Sequence, residues 1–353
     1  MKSIHLAITD LFLPNDFAAE VCVGLHLPAL EKMLARGAST GSARTGEGAS
    51  TGSARTDVSG GALENYLCEL FGVPCQPDTP IAPVSAAFDG LSEGCWLRAD
   101  PVHLRLQREQ LVLLPEVKVS ANEAGQLCTV LNEYFAGQCM EFFAPHPQRW
   151  YMRLDKLPDI ETVPLSQAIG RNVRGLLPKG KEAARWHQVF NEIQMLLFAH
   201  PVNEAREARG ELPVNSLWLW GGGCGVGILP QKTYDRVSSG ELLVEMLAAT
   251  AGIPFSGWPG QWRDEESDCR QLLVWTGLRS ALQHGDLDAW RAALQEFEKG
   301  YAQPLWQALR AGKISQLQVD ILGGDHIRRL QLNRADAWAF WRCAKPLAQY
   351  SMV

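Results

Sequence analysis

The stretch that decides the fold is HPVNEAREARGELPVNSLWLWGGG, residues 200–223. A polar, charged and Ala-rich segment ends at Pro213, and the apolar run SLWLW then leads directly into three glycines. An uninterrupted apolar run is typical of a strand whose two faces are both covered. We therefore predict a central buried strand over 215–220. The glycines would turn the chain tightly at its carboxyl end, where open α/β sheets bind ligands.

The composition indicates a globular protein. The chain has 353 residues, of which 46% are hydrophobic, enough for one large domain or two moderate ones. The net charge is −6 with acidic and basic residues interspersed, so we predict no nucleic-acid partner. No apolar run approaches about 20 residues, so we predict no membrane span. Residues 3–9 indicate a first strand rather than a signal peptide.

The cysteines predict a reducing compartment. Nine are scattered along the chain, an odd number, and no CxxC pair occurs among them. Their mostly apolar surroundings are typical of buried free thiols in the cytoplasm rather than of disulfides. Twelve tryptophans predict a tryptophan-rich core or interface.

Strands and helices alternate in the second half of the chain. Apolar strands at 215–220, 271–276 and 315–322 are separated by helical patterns at 239–251 and 286–310. Such alternation is typical of a mostly parallel sheet with helices on both faces.

A strand-rich region interrupts this pattern. We predict a core domain formed by residues 1–84 and 161–353, with a smaller α+β lobe, residues 85–160, inserted into it. The sequence GASTGSART occurs twice within 37–56 and contains no large apolar residue. It cannot offset the entropy of ordering, so we predict a flexible insertion over 37–60.

The glycine-rich segment after the strand does not match a nucleotide-binding loop. A Walker A loop ends in Gly-Lys-Ser/Thr, whereas Gly227 is followed by Ile228. The sixth position of a dinucleotide fingerprint would be Val226 when counted from Gly221, or Ile228 when counted from Gly223. The glycines either make only a tight turn or let a ligand approach the backbone, and both interpretations stay open.

The run from Asn191 to Gly223 resembles the archaeal type of 2,3-bisphosphoglycerate-independent phosphoglycerate mutase. The matching residues are His200-Pro-Val-Asn203, Arg206, Arg209-Gly210, Pro213, Asn215, Gly221 and Gly223. Nearly the whole chain also resembles, more patchily, the bacterial branch of RpfE-type regulatory proteins and predicted phosphoglycerate mutases. The resemblance implies an alkaline-phosphatase-like α/β fold. It also implies transfer of a phosphoryl group between the 3- and 2-hydroxyls of glycerate, through a phosphoserine and two metal ions.

The resemblance further implies a site for Mn²⁺ or Mg²⁺ built from carboxylates and imidazole, ligands that suit such ions. Asp10 follows the first strand, where the family has its first metal carboxylate, and Asp325-His326 resembles a late Asp-His pair. His284 begins a phrase similar to the family's His-Asp-Gly-Asp. The alternatives are a strand-end turn for Asp10, a hairpin for Asp325-His326 and a helix N-cap for Asp286.

A phosphate or substrate pocket is the second implied site. The residues that the resemblance assigns to it are Asp100, Arg105, Asn215, Gly221 and Gly223. The alternative for Asp100 and Arg105 is a surface ion pair on a strand.

Three departures from the family pattern decide the functional prediction. Trp220 occupies the position of an arginine, and an indole cannot replace a fork of charged donors. The nucleophilic serine has no recognisable motif, because only the repeat at 37–56 offers serines there. Residues 169–175 replace an Asp-Pro-His metal region and contain neither Asp nor His.

We therefore predict a phosphoglycerate-mutase-like protein that is catalytically impaired and regulatory, with its divalent metal either retained or lost. Its partner would be a small phosphorylated ligand or a protein. One alternative is an active metal-dependent mutase or related phosphatase. The other is a protein-interaction module that uses exposed tryptophans.

Overall fold

The computed structural model describes residues 2–39, 63–75, 78–114, 117–225, 230–264, 268–323 and 326–350. The chain forms two compact units. The first unit comprises Met1–Tyr66 and Lys232–Val353, and the second unit is the continuous segment Leu67–Gln231.

The described residues form strands and helices that largely follow the predicted order. The strands are β1 (Ser3–Thr9), β2 (Ala38–Ser39), β3 (Cys95–Gln107), β4 (Gln110–Leu114), β5 (Met140–His146), β6 (Arg149–Leu154), β7 (Ser216–Cys224), β8 (Arg236–Ser239), β9 (Phe255–Gly257), β10 (Arg270–Trp275), β11 (Gln316–Gly323) and β12 (His326–Asn333). The helices are α1 (Asn15–Val21), α2 (Pro28–Arg36), α3 (Leu63–Leu70), α4 (Ile81–Phe88), α5 (Ala121–Tyr134), α6 (Leu165–Ala168), α7 (Ala183–Phe198), α8 (Pro201–Ala208), α9 (Leu242–Thr250), α10 (Arg279–Gln283), α11 (Leu287–Phe297), α12 (Gln303–Ala311) and α13 (Arg334–Ala337). Glu298–Ala302 is a π-helical segment, and Val173–Gly175 and Leu347–Tyr350 form 3-10 turns. Where the structure describes the chain, none of its helices combines the length and apolar character that a membrane crossing needs.

The first unit is built on a mostly parallel sheet. Its seven strands lie in the order β2-β12-β11-β1-β10-β8-β9. The strands β11, β1, β10, β8 and β9 run parallel to one another, and β12 pairs antiparallel with both β11 and β2. Since parallel neighbours need crossover connections, helices must return the chain along the faces of this sheet.

Helices cover both faces of the parallel sheet, as the alternating pattern predicts. Side chains alternate along β1, so Leu6 and Ile8 face one apolar core, which α2, α11 and α12 complete with leucines and aromatic rings. His5 faces the other side, where the Tyr66 hydroxyl of α3 lies 3.2 Å from its Nε2 atom. One face is therefore purely apolar, and the other contains a polar network.

The second unit contains an antiparallel sheet centred on β3. Strand β6 pairs with residues 95–98 of β3, β4 pairs with 103–107, and β7 runs antiparallel along 95–102. Strand β5 pairs with β6. One face of this sheet packs against buried side chains of α5 and α7, including Leu131 and Ile193, to form the unit's main apolar core.

The pairing of β7 corrects the prediction for SLWLW. This segment is a buried strand as predicted, but it lies in the antiparallel sheet of the second unit and not in the parallel sheet. A strand covered on both faces is continuously apolar in either kind of sheet, so the pattern alone could not distinguish them. The second unit, Leu67–Gln231, is accordingly larger than the predicted lobe and extends beyond residues 85–160 at both ends.

The three glycines lie within β7 rather than in a turn after it. They are required because α4 packs directly on this part of the strand. A Cβ atom on Gly223 would lie 2.5 Å from Cβ of Pro80, and one on Gly221 would lie 3.1 Å from Cβ of Ile81. Gly221 also has a φ of +67°, in the region that favours glycine. The helix α4 falls where the sequence indicated only a connection.

One pair of cysteines contradicts the prediction of free thiols. Cys95 and Cys224 lie directly opposite each other on β3 and β7 and form a disulfide across 129 positions of sequence. Opposite residues of an antiparallel pair bring their Cβ atoms close together, and nothing in the spacing of the cysteines reveals this register. The other seven cysteines are free thiols.

The predicted flexible insertion over 37–60 lies almost entirely outside the described residues. Its first residues are ordered, because Ala38 and Ser39 form β2 and pair with Gln331 and Leu330 of β12. The repeat therefore begins at the edge of the parallel sheet.

The close packing of α4 on β7 predicts that Gly223→Ala destabilises the protein. The added methyl group would overlap Pro80 and Pro83, and overpacking of this kind costs about 1–3 kcal/mol. Gly125→Ala is the matched control, because a Cβ atom there meets nothing within 4 Å and Gly125 lies inside α5. That control should gain up to about 1 kcal/mol from helix propensity. Urea denaturation followed by circular dichroism measures both, and equal stabilities of the two variants would contradict the packing argument.

Candidate functional site

An acid–arginine–acid cluster lies at the carboxyl edge of the parallel sheet in the first unit. Asp10 follows β1, Glu241 follows β8, and Arg279 begins α10 after β10. The Arg279 Nε atom lies 3.6 Å from Oδ2 of Asp10, and its Nη1 atom lies 3.9 Å from Oε2 of Glu241. Carboxyl ends of adjacent parallel strands meet at one edge, which is where open α/β sheets place ligands. We refer to these three residues as the edge cluster.

Asp10 is held in an unusual backbone conformation. Its φ is +59°, which is uncommon for a residue other than glycine. Its backbone N–H donates to the carbonyl of Leu322, and its own carbonyl accepts from the indole of Trp290. The Oδ2 atom is inaccessible to solvent and accepts no hydrogen bond from any described residue, and the hydroxyl of the neighbouring Thr9 is in the same condition. A constrained acid with an unsatisfied oxygen is more typical of a site than of a simple turn.

Arginine offsets part of the negative charge of the edge cluster. Burial raises the pKa of the Glu241 carboxyl, Arg279 lowers it, and the charge of the buried Glu64 raises it again, so that the net shift is upward. The cluster thus contains one guanidinium and two carboxylates.

Of the other predicted metal ligands, the two that the structure describes, His284 and His326, do not form a group of three ligands with Asp10. His284 is exposed at the end of α10, with its Nδ1 atom 2.8 Å from the carbonyl of Ser280. His326 is exposed and faces Gly323 across the hairpin of β11 and β12. Asp325 lies outside the described residues. Asp286 caps α11 by accepting from the backbone of Ala289, which is the alternative that the sequence left open.

The described residues do not fit a divalent ion. Within the ranges that the structure describes, no three His, Cys, Asp or Glu side chains come close enough together to ligate one metal. The cationic neighbour of Asp10 is the guanidinium of Arg279. An ion such as Mg²⁺ instead needs several oxygen ligands at about 2.0–2.1 Å.

Asp100, one of the predicted substrate residues of the second unit, is bonded to two side chains that the prediction did not include. Asp100 is 2% exposed. Its Oδ1 atom accepts from Arg98 at 2.6 Å, and its Oδ2 atom accepts from the indole N–H of Trp220 at 2.7 Å. The Arg98 guanidinium also lies over the rings of Trp220 and Tyr151. Trp220, which occupies the position of an arginine in the family pattern, therefore donates a hydrogen bond to the buried acid.

Arg105 and Asn215 lie apart from this pair. Arg105 is exposed, and it is five positions from Asp100 on the same strand, so the two side chains point to opposite faces of the sheet. Asn215 bonds both backbone groups of Leu104: its Oδ1 atom accepts at 2.7 Å and its Nδ2 atom donates at 2.8 Å. The structure therefore does not bring the five predicted substrate residues together around one pocket.

The segment that carries the family resemblance forms internal scaffold. Asn203 donates to the carbonyls of Leu197 and Val214 and accepts from the backbone of Val214. Arg206 is 2% exposed and donates to Glu123 and to the carbonyls of Lys118 and Leu212. The polar residues of this segment that could bind a ligand instead form hydrogen bonds with neighbouring helices and loops.

A buried polar network lies on the face of the parallel sheet that contains His5. Asp320 on β11 is fully buried and lies 3.1 Å from Nε2 of His5, and it accepts from the hydroxyl of Tyr66 and from Arg329. The hydroxyl of Tyr234 lies 2.7 Å from Nδ1 of His5. Burial opposes ionisation of Asp320, but the hydrogen bonds and charges of His5 and Arg329 outweigh it and lower its pKa. The network joins neighbouring strands and fixes their register.

Sequence reasoning missed Arg279, Glu241 and Arg98. A signal existed for the first two. Arg279 follows a predicted apolar strand, and Glu241 directly precedes the helix α9 at the carboxyl edge of the sheet. No such signal existed for Arg98, whose role depends on the pairing of β3 with β7.

The fold is shared with a solved structure. The PH0037 protein from Pyrococcus horikoshii aligns with a TM-score of 0.52 at 13% identity, over 94% of this chain and 87% of that one. The molecule is an α/β protein with a mostly parallel sheet and helices on both faces of that sheet, and the predicted α/β fold class is confirmed.

Sequence similarity points to one kind of relative. The 2,3-bisphosphoglycerate-independent phosphoglycerate mutase of Methanosarcina barkeri is 26% identical over 174 residues, 47% of this chain and 43% of that protein. The protein of the same name from Methanosarcina acetivorans is 28% identical over 206 residues, 56% of this chain and 48% of that one. No family model matches the chain. The chain is thus a relative of these phosphoglycerate mutases, as predicted, and spans about half the length of the curated relatives it matches.

The capping box of α5 generates a prediction about pH. Partial burial raises the pKa of Glu123, but hydrogen bonds from Ser120 and the charges of Arg206 and Arg209 outweigh it and lower the pKa from 4.5 to about 2. Because the folded pKa is depressed, this stabilisation is present above pH 4.5 and is lost as the pH falls toward 2.

Glu123→Gln should accordingly destabilise the protein by about 1–2 kcal/mol near pH 7, and by progressively less below pH 4.5. Glu133→Gln, at an exposed position of the same helix, is the matched control and should change little. Chemical denaturation at a series of pH values measures both. A loss for Glu123→Gln that does not depend on pH would contradict the assignment.

Proposed function

We propose that this protein is a catalytically impaired relative of the phosphoglycerate mutases with a regulatory or binding role. The relatives that it matches are named as 2,3-bisphosphoglycerate-independent phosphoglycerate mutases. The occupant we propose is a small phosphorylated ligand or a protein. Its location in the cytoplasm remains a prediction from the thiols, of which seven are free.

One observation carries the proposal: two of the side chains expected to bind substrate, Asp100 and Asn215, already have hydrogen-bond partners within the chain. Asp100 accepts hydrogen bonds on both carboxylate oxygens, from Arg98 and from Trp220. Breaking a buried charge-assisted pair to admit a ligand costs about 3–5 kcal/mol, unless the ligand replaces the lost bonds. An anionic substrate could take the place of Asp100 beside Arg98. It could not replace the hydrogen-bond donors that Asp100 would lose.

A second line of support comes from the chemistry of phosphoryl transfer. Two cations neutralise the charge that develops on the transferring group, and a metal lowers the pKa of the attacking hydroxyl. The edge cluster offers one guanidinium, and the described residues offer no group of three metal ligands. A guanidinium cannot generate a hydroxyl nucleophile in this way.

The turnover of 3-phosphoglycerate tests the proposal. Purified protein supplied with Mn²⁺ should convert 3-phosphoglycerate to 2-phosphoglycerate no faster than a buffer blank, because phosphoryl transfer needs two cations and the described residues bring no three metal-ligating side chains together. An enolase-coupled absorbance assay measures the rate.

The control for this assay is a pair of variants at the predicted metal positions. Residual activity from a contaminating mutase would survive in both Asp10→Asn and Asp325→Ala. Clear Mn²⁺-dependent activity that is lost in either variant would show that the protein is an active mutase, and the proposal would fail.

Protein interaction is a second candidate function, and the exposed aromatic side chains near the end of the described chain favour it. Trp338, Phe340 and Trp341 are 53%, 79% and 69% exposed. Such a cluster is typical of a contact surface. Nine of the twelve tryptophans are buried, however, so this surface is local rather than general.

If the aromatic cluster binds a second copy of the chain, the double substitution Phe340→Ala with Trp341→Ala should lower the molar mass measured by light scattering at high concentration. Phe198→Ala, which removes an 81% exposed ring elsewhere, is the control. Wild-type protein that stays monomeric at all concentrations would exclude self-association.

A further inference from the structure

We infer that the guanidinium of Arg279 takes the place of a divalent cation at the carboxyl edge of the parallel sheet. The inference rests on the proposed function, because it explains why this edge cannot support metal-dependent phosphoryl transfer. It concerns the edge cluster of Asp10, Glu241 and Arg279, all of which belong to the first unit.

The first argument is geometric. Arg279 contacts Asp10 through Nε and Glu241 through Nη1, at 3.6 Å and 3.9 Å, so one planar cation lies between two carboxylates. These separations suit ion pairs with an extended guanidinium. A single small ion would instead need several oxygen ligands at about 2.0–2.6 Å, and among the described residues no group of three metal-ligating side chains includes Asp10 or Glu241.

The second argument is the state of the Asp10 carboxylate. Its Oδ2 atom is shielded from solvent and accepts no hydrogen bond from the described residues, so it depends on a nearby positive charge. Arg279 is the cation within ion-pair distance of that atom in the described part of the chain. Removing it would leave an uncompensated acid beside Glu241 and the buried Glu64.

The third argument is the chemistry of the replacement. Arginine stays protonated at all physiological pH values, and its charge does not depend on the supply of an ion. It contributes a single positive charge where a divalent ion contributes two. Arg279 offsets one of the two acid charges of the edge cluster, and its guanidinium occupies the space beside Asp10 in which a divalent ion would bind, so we expect no strong affinity for Mn²⁺ or Mg²⁺.

Metal titration of full-length, chelator-treated protein tests the inference. Calorimetric titration with Mn²⁺ should show no saturable binding to the wild type. Arg279→Gln removes the balancing charge, so its Tm should fall by about 2–4 °C, and Mn²⁺ should restore part of that loss. Arg263→Gln removes an exposed arginine of the same unit and is the matched control, which should neither lose stability nor respond to Mn²⁺.

A double variant keeps the test decisive if Arg279→Gln fails to fold. Asp10→Asn removes the acid that Arg279 balances, so the combination of Asp10→Asn with Arg279→Gln should recover stability relative to Arg279→Gln alone. Recovery supports the inference, and a double variant as unstable as the single one overturns it.

Two further results would overturn the inference. One is stoichiometric Mn²⁺ binding by the wild type that is lost in Asp10→Asn. The other is an Arg279→Gln variant that is as stable as the wild type and does not respond to Mn²⁺.

Failure of the inference can be distinguished from failure of the proposed function. Wild-type protein that binds Mn²⁺ without converting 3-phosphoglycerate would refute the inference alone, whereas turnover by chelator-treated protein would refute only the proposed function.

Discussion

The antiparallel pairing of β3 with β7 is the constraint on which the second unit depends. It joins residues about 120 positions apart and brings Arg98 and Asp100 alongside Trp218 and Trp220. The same register places Cys95 opposite Cys224 and sets the glycines of β7 under α4. Because side chains alternate, the strand pair divides into an apolar face for the main core and a face with the buried Arg98–Asp100 pair. The most informative segment of the sequence is thus primarily a structural one.

The first unit depends on a corresponding constraint in its parallel sheet. The central strand β1 has β10 on one side and β11 on the other, and one face of it packs into a continuous apolar core. On the other face, Tyr66 bonds to both His5 and Asp320, and Tyr234 bonds to His5, which makes a polar network that is satisfied only in one register. A one-residue slip would bury these polar groups in the apolar core, which would cost several kcal/mol. The network therefore aligns the strand ends at which Asp10 is presented.

Much of the fold could be predicted because periodicity and alternation are local. The strands β1, β10 and β11 and the helices α5, α7 and α11 appear close to their expected positions. The partner of β7 could not be predicted, since a doubly covered strand has the same apolar pattern in a parallel or an antiparallel sheet. The helix α4 was missed because Pro80 and Pro83 indicated a connection, although proline is tolerated near the first turn of a helix.

The candidate site was only partly predictable, for a different physical reason. Asp10 could be placed because it follows a strand, but its partners come from other strands and become neighbours only when the sheet assembles. Resemblance to a family identifies the residues that relatives use, and it cannot show that Asn203, Arg206 and Asn215 have acquired or kept structural bonds here. Arg279 and Arg98 carry the charges that decide the chemistry, and neither belongs to the segment that indicated the family.

The two units share one electrostatic property. In the second unit Arg98 is paired with Asp100, and in the first unit Arg279 lies between Asp10 and Glu241. In each case a cation that could meet a phosphate is held by a carboxylate of the same chain. To displace that carboxylate, a free phosphate must bind the cation more strongly. The carboxylate is already positioned, and it loses no translational entropy when it pairs with the cation. The internal acids would therefore compete with any anionic ligand at both places.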